Sequence, residues 1–301
     1  MGTTERLEGL AKRWLPVWAA REAKRVAVWP RYWAQRRACR EGFRKYGDRY
    51  PQKILFVAGM PKSGTTWLEK MIASFPGFHD LLIPDVAAYE LRTGGSHDYD
   101  IPADMFDRLR GLLVLTKMHV HGSKHNADVL KKAGVRYVVL YRDLRDVAIS
   151  YHFYVKGTPW HPEHPRHKDA DLQEGLRVFA ERMLDGYIEW VRSWEANRDP
   201  AMSLTFKYED MLRDAKGVMM QVARHYQLSD DEAEIERIVE ANSFQNLSKG
   251  RAQGQESGQS FFRKGVAGDW RNQFAPETRE LYKAKAGAFL IEAGYEKDLS
   301  W

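Results

Sequence analysis

The eight residues GMPKSGTT, at positions 59–66, constrain the fold of this chain more than any other stretch. Ahead of them, residues 53–58 (KILFVA) form a short apolar run rich in β-formers, which reads as a buried strand. Behind them, Leu68, Met71, Ile72 and Phe75 recur at helical spacing over residues 65–75. A strand, a glycine loop and a helix in that order leave the first helical N–H groups without intrahelical partners, and the helix dipole adds positive potential at the same point. Gly59 and Gly64 carry no Cβ, so the main chain can close on a bulky anion, while Thr65 and Thr66 add hydroxyl donors. The local pattern predicts an anion cradle.

The alternation returns three times. Residues 112–115, 136–141 and 203–206 are further strand candidates, followed by helical patterns near 123–133, 144–155 and 209–227. Longer helices are expected at 172–195 and 277–293 and a shorter one at 230–241. The fold class implied is α/β, a parallel sheet flanked by helices on both faces. In such sheets the carboxyl ends of the strands border the ligand crevice. Lys117 and His119 follow the second strand candidate, Arg142 and Asp143 the third, and Lys207, Tyr208 and Glu209 the fourth. Four separate segments therefore deliver polar chemistry to one rim.

Charge divides the chain. Residues 1–50 hold 13 Lys+Arg against 5 Asp+Glu, or +8, whereas the 301 residues together carry only +6, so residues 51–301 sum to −2. The division expected is a basic, Trp-rich helical arm at 1–50 and an α/β domain at 51–301. Trp14, Trp18, Trp29 and Trp33 share one helical face, with basic pairs at Lys12-Arg13, Lys24-Arg25 and Arg36-Arg37. Two readings compete: a helix at an anionic membrane surface, and an arm docked on the protein's own body with Trp as core. Pro16 and Pro30 favour the second, because each is expected to interrupt a long helix. With the basic excess confined to the arm, nucleic acid is not an expected partner. One cysteine, Cys39, excludes an internal disulfide and a Cys-rich metal site, and no apolar run approaches the length of a membrane span. The expected setting is cytoplasmic, with peripheral membrane contact as the arm's alternative role.

The cradle departs from the nucleotide loop G-x-x-x-x-G-K-[ST]. Thr65-Thr66 stand where Lys and Ser or Thr belong, and the lysine, Lys62, has moved inside the loop. The strand end Arg142-Asp143 lies in a basic setting that suits Mg²⁺ poorly, which makes a nucleotide kinase the secondary reading and a non-catalytic nucleotide-binding protein the third.

Three segments together resemble the cytosolic-type sulfotransferases that use PAPS, 3'-phosphoadenosine 5'-phosphosulfate. Residues 61–67 (PKSGTTW) look like the family's 5'-phosphosulfate loop. Residues 142–150 (RDLRDVAIS) are similar to its 3'-phosphate motif R-x-x-x-D-x-x-x-S, and 263–272 (RKGVAGDWRN) to its R-K-G-x-x-G-D-W-[KR]-N block. The likeness spans 59–274 and leaves the arm outside it. It implies a P-loop-like fold and transfer of a sulfuryl group from PAPS to a hydroxyl or amine of a small-molecule or lipid-like acceptor, releasing PAP without a metal.

The resemblance also implies roles. Lys62 would stand at the bridging oxygen of the leaving phosphate, with Ser63, Gly64, Thr65 and Thr66 around it. His119 would be the base and Lys117 its assistant, in a stretch where Met118 and His121 replace the family's Thr and Pro; His121 is the competing base. Arg142, Ser150, Arg263, Lys264 and Gly265 would hold the 3'-phosphate, and Trp67, Tyr208 and Phe244 would contact adenine. Around Arg271 and Glu280 the family's short dimerisation pattern is altered, with Ala275-Pro276 for Thr-Val, and oligomeric state is left open. The P-x-H repeat at 159–167 is expected as polyproline II with its histidines about 9 Å apart, a mobile lid and not a metal tract. Residues 249–260 are expected to gate the cofactor. Phe75, Phe78, Tyr89, Tyr154 and Trp160 are candidates for an apolar acceptor pocket.

Overall fold

Strands β1 (Ile54–Gly59), β2 (His79–Asp80), β3 (Val114–Met118), β4 (Tyr137–Tyr141) and β5 (Ser203–Lys207) form one sheet in the order β2-β3-β1-β4-β5, with every pair parallel. The computed structural model describes residues 17–301 except 96, 258, 259 and 261. Side chains alternate across the sheet and feed two cores. Phe56, Ala58, Val114 and Val139 point to one, packed by the helices Leu144–Lys156, Leu172–Arg182, Leu184–Asn197 and Pro276–Glu292. Leu55, Val57, Leu115 and Val138 point to the other, packed by Thr65–Ile72, Ala215–His225 and Glu232–Ala241. Both faces are covered, as expected of an α/β parallel sheet.

Several elements differ from the sequence pattern. The stretch 172–195 is two helices separated at Met183, and 209–227 is also two, Tyr208–Arg213 and Ala215–His225. In the second pair the break is made by Asp214, whose carboxylate accepts from Gly217 N at 2.8 Å and caps the new helix. Strand β2 and the helix Pro84–Thr93 carry no expectation from sequence; two residues of strand are too few to show a period.

The N-terminal arm is the largest correction. Val17–Tyr46 is one helix of 30 residues, and Pro30 lies inside it without ending it. Proline removes one helical hydrogen bond, at a cost of about 3 kcal/mol in a helix interior, but tertiary bonds tether the following turns. Gln35 donates to the Asp80 carboxylate at 2.7 Å and accepts from Leu82 N at 3.0 Å, while Leu113 N donates to Cys39 O at 3.1 Å. The tryptophans are not its core. Trp18, Trp29 and Trp33 face outward, and the buried stripe is made by Val28, Cys39 and Gly42. Lys12, Arg13, Trp14 and Pro16 lie outside the described residues.

Gly42 fixes how closely this helix approaches the sheet layer. A Cβ there would lie 2.0 Å from the backbone oxygen of Gly77. Because backbone is the obstacle, Gly42→Ala is expected to destabilise by about 1–3 kcal/mol, read as a lower midpoint in urea unfolding followed by circular dichroism. An unchanged midpoint would mean that the contact is not held in solution.

Candidate active site

The strand registers put the predicted chemistry on one rim. Ala58 pairs with Met118, Gly59 with Leu140 and Tyr141 with Lys207, so the glycine loop, His119, Arg142 and Tyr208 leave the sheet at nearly one level. Above them lies a cavity of about 660 Å³. It is lined by Lys62, Gly64, Thr65, Thr66 and Trp67 from the loop, by Lys117 and His119, by Arg142 and Ser150, by Tyr208 and Phe244, and by Arg263, Lys264 and Gly265. Of the residues expected to hold PAPS or carry out its transfer, the competing base His121 aside, Ser63 alone does not line it. Ser63 is fully buried beneath the loop, and its Oγ has no hydrogen-bond partner among the described residues.

The loop is tightly wound. Lys62 and Gly64 both adopt left-handed backbone, with φ of +68° and +80°, a conformation that is uncommon for lysine. Ser63 N donates to Met60 O at 3.2 Å and Trp67 N to Gly64 O at 2.9 Å. The glycines serve packing as well as access. A Cβ on Gly64 would sit 2.5 Å from the Tyr208 ring, and one on Gly59 would sit 1.8 Å from the Thr65 methyl. Anything bulkier would push the helix start away from the strand.

Three cations crowd this space. Burial, then Arg142 and Lys117, pull the Lys62 ammonium down from 10.5 to about 7. Its Nζ lies 4.1 Å above the Tyr154 ring. Lys117 pairs with the Glu69 carboxylate at 3.2 Å. Arg142 lies 4.4 Å over the Tyr208 ring, donates to Val266 O at 2.8 Å and pairs with Asp146 at 3.3 Å, yet its buried Nε has no partner among the described residues. An orphaned guanidinium nitrogen, three crowded cations and a glycine cradle fit an anionic ligand with more than one phosphate-like group.

His119 is held from both sides. Its Nδ1 faces the carbonyl oxygen of Gly59, which can only accept, so Nδ1 carries the proton and Nε2 keeps its lone pair. The backbone oxygen of His119 accepts from Trp190 Nε1 at 2.9 Å. Burial first, and then the Lys117 charge, push the imidazole down to about 3, so it is neutral at physiological pH. His121, the competing base, does not line the cavity; it stacks edge-on against His97 with ring centroids 5.9 Å apart.

The third segment is tied to the second through carboxylates. Asp146 accepts from Gly268 N at 2.6 Å and Trp270 N at 3.0 Å while pairing with Arg142. Asp269 accepts from Arg263 at 2.8 Å and Lys264 at 2.6 Å, and Glu256 takes the other Arg263 nitrogen at 2.7 Å. The two basic side chains thus line the cavity while engaged with acids. Gly265 has φ of +69° and approaches the Phe244 ring so closely that a Cβ would lie 2.4 Å from it. Trp67, whose indole donates to Asn242 O at 2.8 Å, meets Tyr208 edge-on at 6.2 Å. The three aromatics expected around adenine therefore share one end of the cavity with the Gly265 turn.

Sequence reasoning missed four parts of the site. Asp146 and Asp269 stand inside the motifs already singled out, and the need for a carboxylate beside each buried cation was the signal available for them. Glu69, one helical turn beyond the threonines, gave none. The fourth is the wall made by Lys24, Ala27, Val28 and Arg31 of the N-terminal helix. Among the aromatic candidates Tyr154 and Trp160 line the cavity, while Phe75 and Phe78 are buried in the opposite core and Tyr89 packs on Tyr99. The P-x-H segment is not polyproline II. It folds into turns and the helical turn His164–His167, burying His161 and His167. Trp160, His161 and Pro162 wall the cavity from that segment. Of the stretch 249–260, the part at 258–259 lies outside the described residues; Gly254 N and Ser257 N donate to Lys264 O and Arg263 O. No group of three or more His, Cys, Asp or Glu side chains is placed to hold a metal ion among the described residues.

Residues 52–287 match the family described as the sulfotransferase domain. The chain belongs to that family. The resemblance read from the three motifs is thereby borne out, and the sulfotransferase domain accounts for the whole sheet and the cavity rim. Among relatives, the chain is 26% identical over 250 residues to sulfotransferase 2A6 of Rattus norvegicus, covering 77% of this chain and 82% of that one. It is 27% identical over 266 residues to flavonol 3-sulfotransferase of Flaveria bidentis, covering 78% and 82%. Among solved structures, mouse sulfotransferase SULT7A1 complexed with PAP aligns with a TM-score of 0.58 at 22% identity, over 80% of this chain and 88% of that one. Retinol dehydratase in complex with androsterone and the inactive cofactor PAP aligns with a TM-score of 0.55 at 22% identity, over 79% and 80%. These likenesses bear out the P-loop-like fold. The helix Val17–Tyr46 lies ahead of the family match.

Lys62 makes the site costly when it holds no anion. A lysine whose folded pKa lies below its unfolded value loses stability as pH falls from about 10.5 to the folded value near 7, and the penalty is full below that. Replacing Lys62 by methionine removes the charge and keeps the stem. The ligand-free Lys62→Met protein is expected to melt higher than wild type at pH 6–7, by about 2–4 °C for each kcal/mol regained. The gap should close toward pH 10. A variant that melts lower at pH 6–7 would show that Lys62 is not held against its charge.

Proposed function

We propose that this sulfotransferase moves a sulfuryl group from PAPS to a hydroxyl or amine of a small-molecule or lipid-like acceptor, releasing PAP. The observation that carries the reading is the meeting of Lys62, inside the anion cradle, with a lone-pair-bearing His119 Nε2 at the end of the adjacent strand, in one cavity. PAPS, when bound, supplies an activated sulfuryl group whose departure leaves a phosphate. The cradle of Lys62, Gly64, Thr65 and Thr66 offers that phosphate an ammonium, main-chain N–H groups and two hydroxyls. Arg142, Ser150, Arg263, Lys264 and the Gly265 turn would hold the second phosphate, with Trp67, Tyr208 and Phe244 against the base.

His119 Nε2 would take the acceptor's proton. Burial, and after it the charges of Lys117 and Lys62, hold it near 3, so the cations supply only part of the depression. An anion bound between them offsets their field and raises the imidazole toward a useful basicity. Lys117 stands beside the transferring group in this reading, released from or sharing Glu69. Residues 51–301 carry the chemistry, and the appended arm supplies a wall on the acceptor side.

The test is turnover of the purified chain with PAPS and a panel of phenolic, steroidal and lipid alcohols in EDTA, followed by PAP release. Lys62→Met is expected to lower kcat on the order of 10²–10³-fold, by analogy with loss of one preorganised donor, while retaining PAP binding. His119→Ala should abolish transfer with the fold intact. Wild-type turnover in either variant removes the mechanism, and turnover with ATP that requires Mg²⁺ would favour a kinase.

A separate consequence concerns protons. Lys62 binds an anion best as the ammonium, so PAP binding above pH 7 draws a proton from solution, and affinity should fall as pH rises from about 7. Calorimetry at pH 8 in buffers of different ionisation enthalpy would register this uptake. Its persistence in Lys62→Met would assign it to another group.

A further inference from the structure

The outer face of the N-terminal helix carries an unusual surface. Trp18, Val26, Trp29 and Trp33 are 71%, 65%, 51% and 59% exposed, whereas the remaining exposed large hydrophobics among the described residues are single and mostly elsewhere. At 3.6 residues per turn these four fall within an arc of about 80°. Arg25, Arg37, Arg40 and Arg44 are exposed on the same arc and its borders. The helix holds nine Lys+Arg against two Glu, a net +7 that exceeds the +6 of the entire chain. Its two acids, Glu22 and Glu41, pair with Arg25 and Arg37 at 2.9 Å on open surface, where such pairs hold little energy and exchange readily with another anion. The opposite face is committed: Lys24, Ala27, Val28 and Arg31 line the cavity.

We propose that the Trp and Arg face of the Val17–Tyr46 helix docks on an anionic lipid bilayer, holding the acceptor end of the cavity at the membrane surface. Indole rings settle at the boundary between headgroups and acyl chains, and arginines on the flanks of such a stripe meet anionic headgroups. Charge decides against a second copy of the chain as the occupant, because two faces of this sign would repel across the contact. The helix lies on the bilayer and does not cross it; no described helix is long and apolar enough to span a membrane. Docking stands on this face alone. Its corollary, that the acceptor enters from the bilayer, rests on the sulfuryl-transfer reading.

The experiment is co-sedimentation of the full chain with vesicles of phosphatidylcholine alone or mixed with about one-third phosphatidylglycerol, near 0.1 M salt, where surface charges act over about 10 Å. Binding is expected to the anionic vesicles, to weaken as salt rises, and to shift tryptophan emission to the blue. Each basic residue at such a surface contributes about fivefold in partitioning, so Arg37→Glu, Arg40→Glu and Arg44→Glu together should lower it by more than a hundredfold. Trp18→Ala, Trp29→Ala and Trp33→Ala together should weaken binding and abolish the blue shift. Equal binding to both vesicle types, or indifference to the arginine reversals, overturns the proposal. So does failure to sediment accompanied by concentration-dependent dimers in velocity centrifugation. PAP-induced thermal stabilisation is measured on every variant: docking lost with that stabilisation intact counts against this inference alone, and stabilisation absent from wild type counts against the nucleotide reading.

Discussion

Like charge held at the end of a parallel sheet is the constraint around which this structure is arranged. Lys62, Lys117 and Arg142 come from three different strand ends, and a parallel register leaves them no room to diverge. Each has a partner within the protein: the Tyr154 ring beneath Lys62, Glu69 beside Lys117, and Asp146 with the Val266 carbonyl at Arg142. None of these satisfies the whole set, since Lys62 is still driven toward neutrality and one Arg142 nitrogen has no partner among the described residues. A fold whose local choices are otherwise consistent tolerates such conflict where a ligand resolves it.

Asp146 explains how segments more than a hundred residues apart come to share the cavity. Its carboxylate joins the helix after β4 to the Gly268–Trp270 backbone while neutralising part of Arg142. Asp269 then orders Arg263 and Lys264 from the same turn. The acids act on position: they fix where the basic groups stand before any ligand arrives, so less ordering remains to be done on binding. The cation-rich rim is a preorganised one, assembled by carboxylates that do not themselves face the anion.

What was legible in the sequence follows from range. The β1 strand, its glycine loop and the helix after it are written in residues that touch one another, and the strand-end rule then placed Lys117, His119, Arg142 and Tyr208 correctly with no coordinates. The sequence was silent where the cause is distant. Met183 divides one helix into two, yet nothing local to 172–195 announces it. Pro30 obeys its local rule and is overruled by Gln35 and Cys39, which bond across 45 and 74 residues of chain. The tryptophan spacing fixed a shared helical side without fixing whether that side faces protein or solvent. Reading Arg263 and Lys264 as phosphate donors needed only the motif; seeing them held by Asp269 needed the turn at Gly265 and Gly268, where positive φ reverses the chain.

The two ends of the cavity differ in origin, and this bears on how far family likeness can reach. Every group assigned to the nucleotide lies within residues 52–287, on strand ends or on segments fastened to them. The rest of the wall is built partly from Lys24, Val28 and Arg31, on a helix ahead of that match, and partly from the turn holding Trp160 and His161. Those two pieces brace each other: Arg21 donates to Trp160 O at 3.1 Å and the Lys24 ammonium lies 4.5 Å over the Trp160 ring. The family match therefore covers every group assigned to the nucleotide but only part of the opposite wall. Lys24, Val28 and Arg31 stand outside it, so an acceptor is best sought with the arm in place.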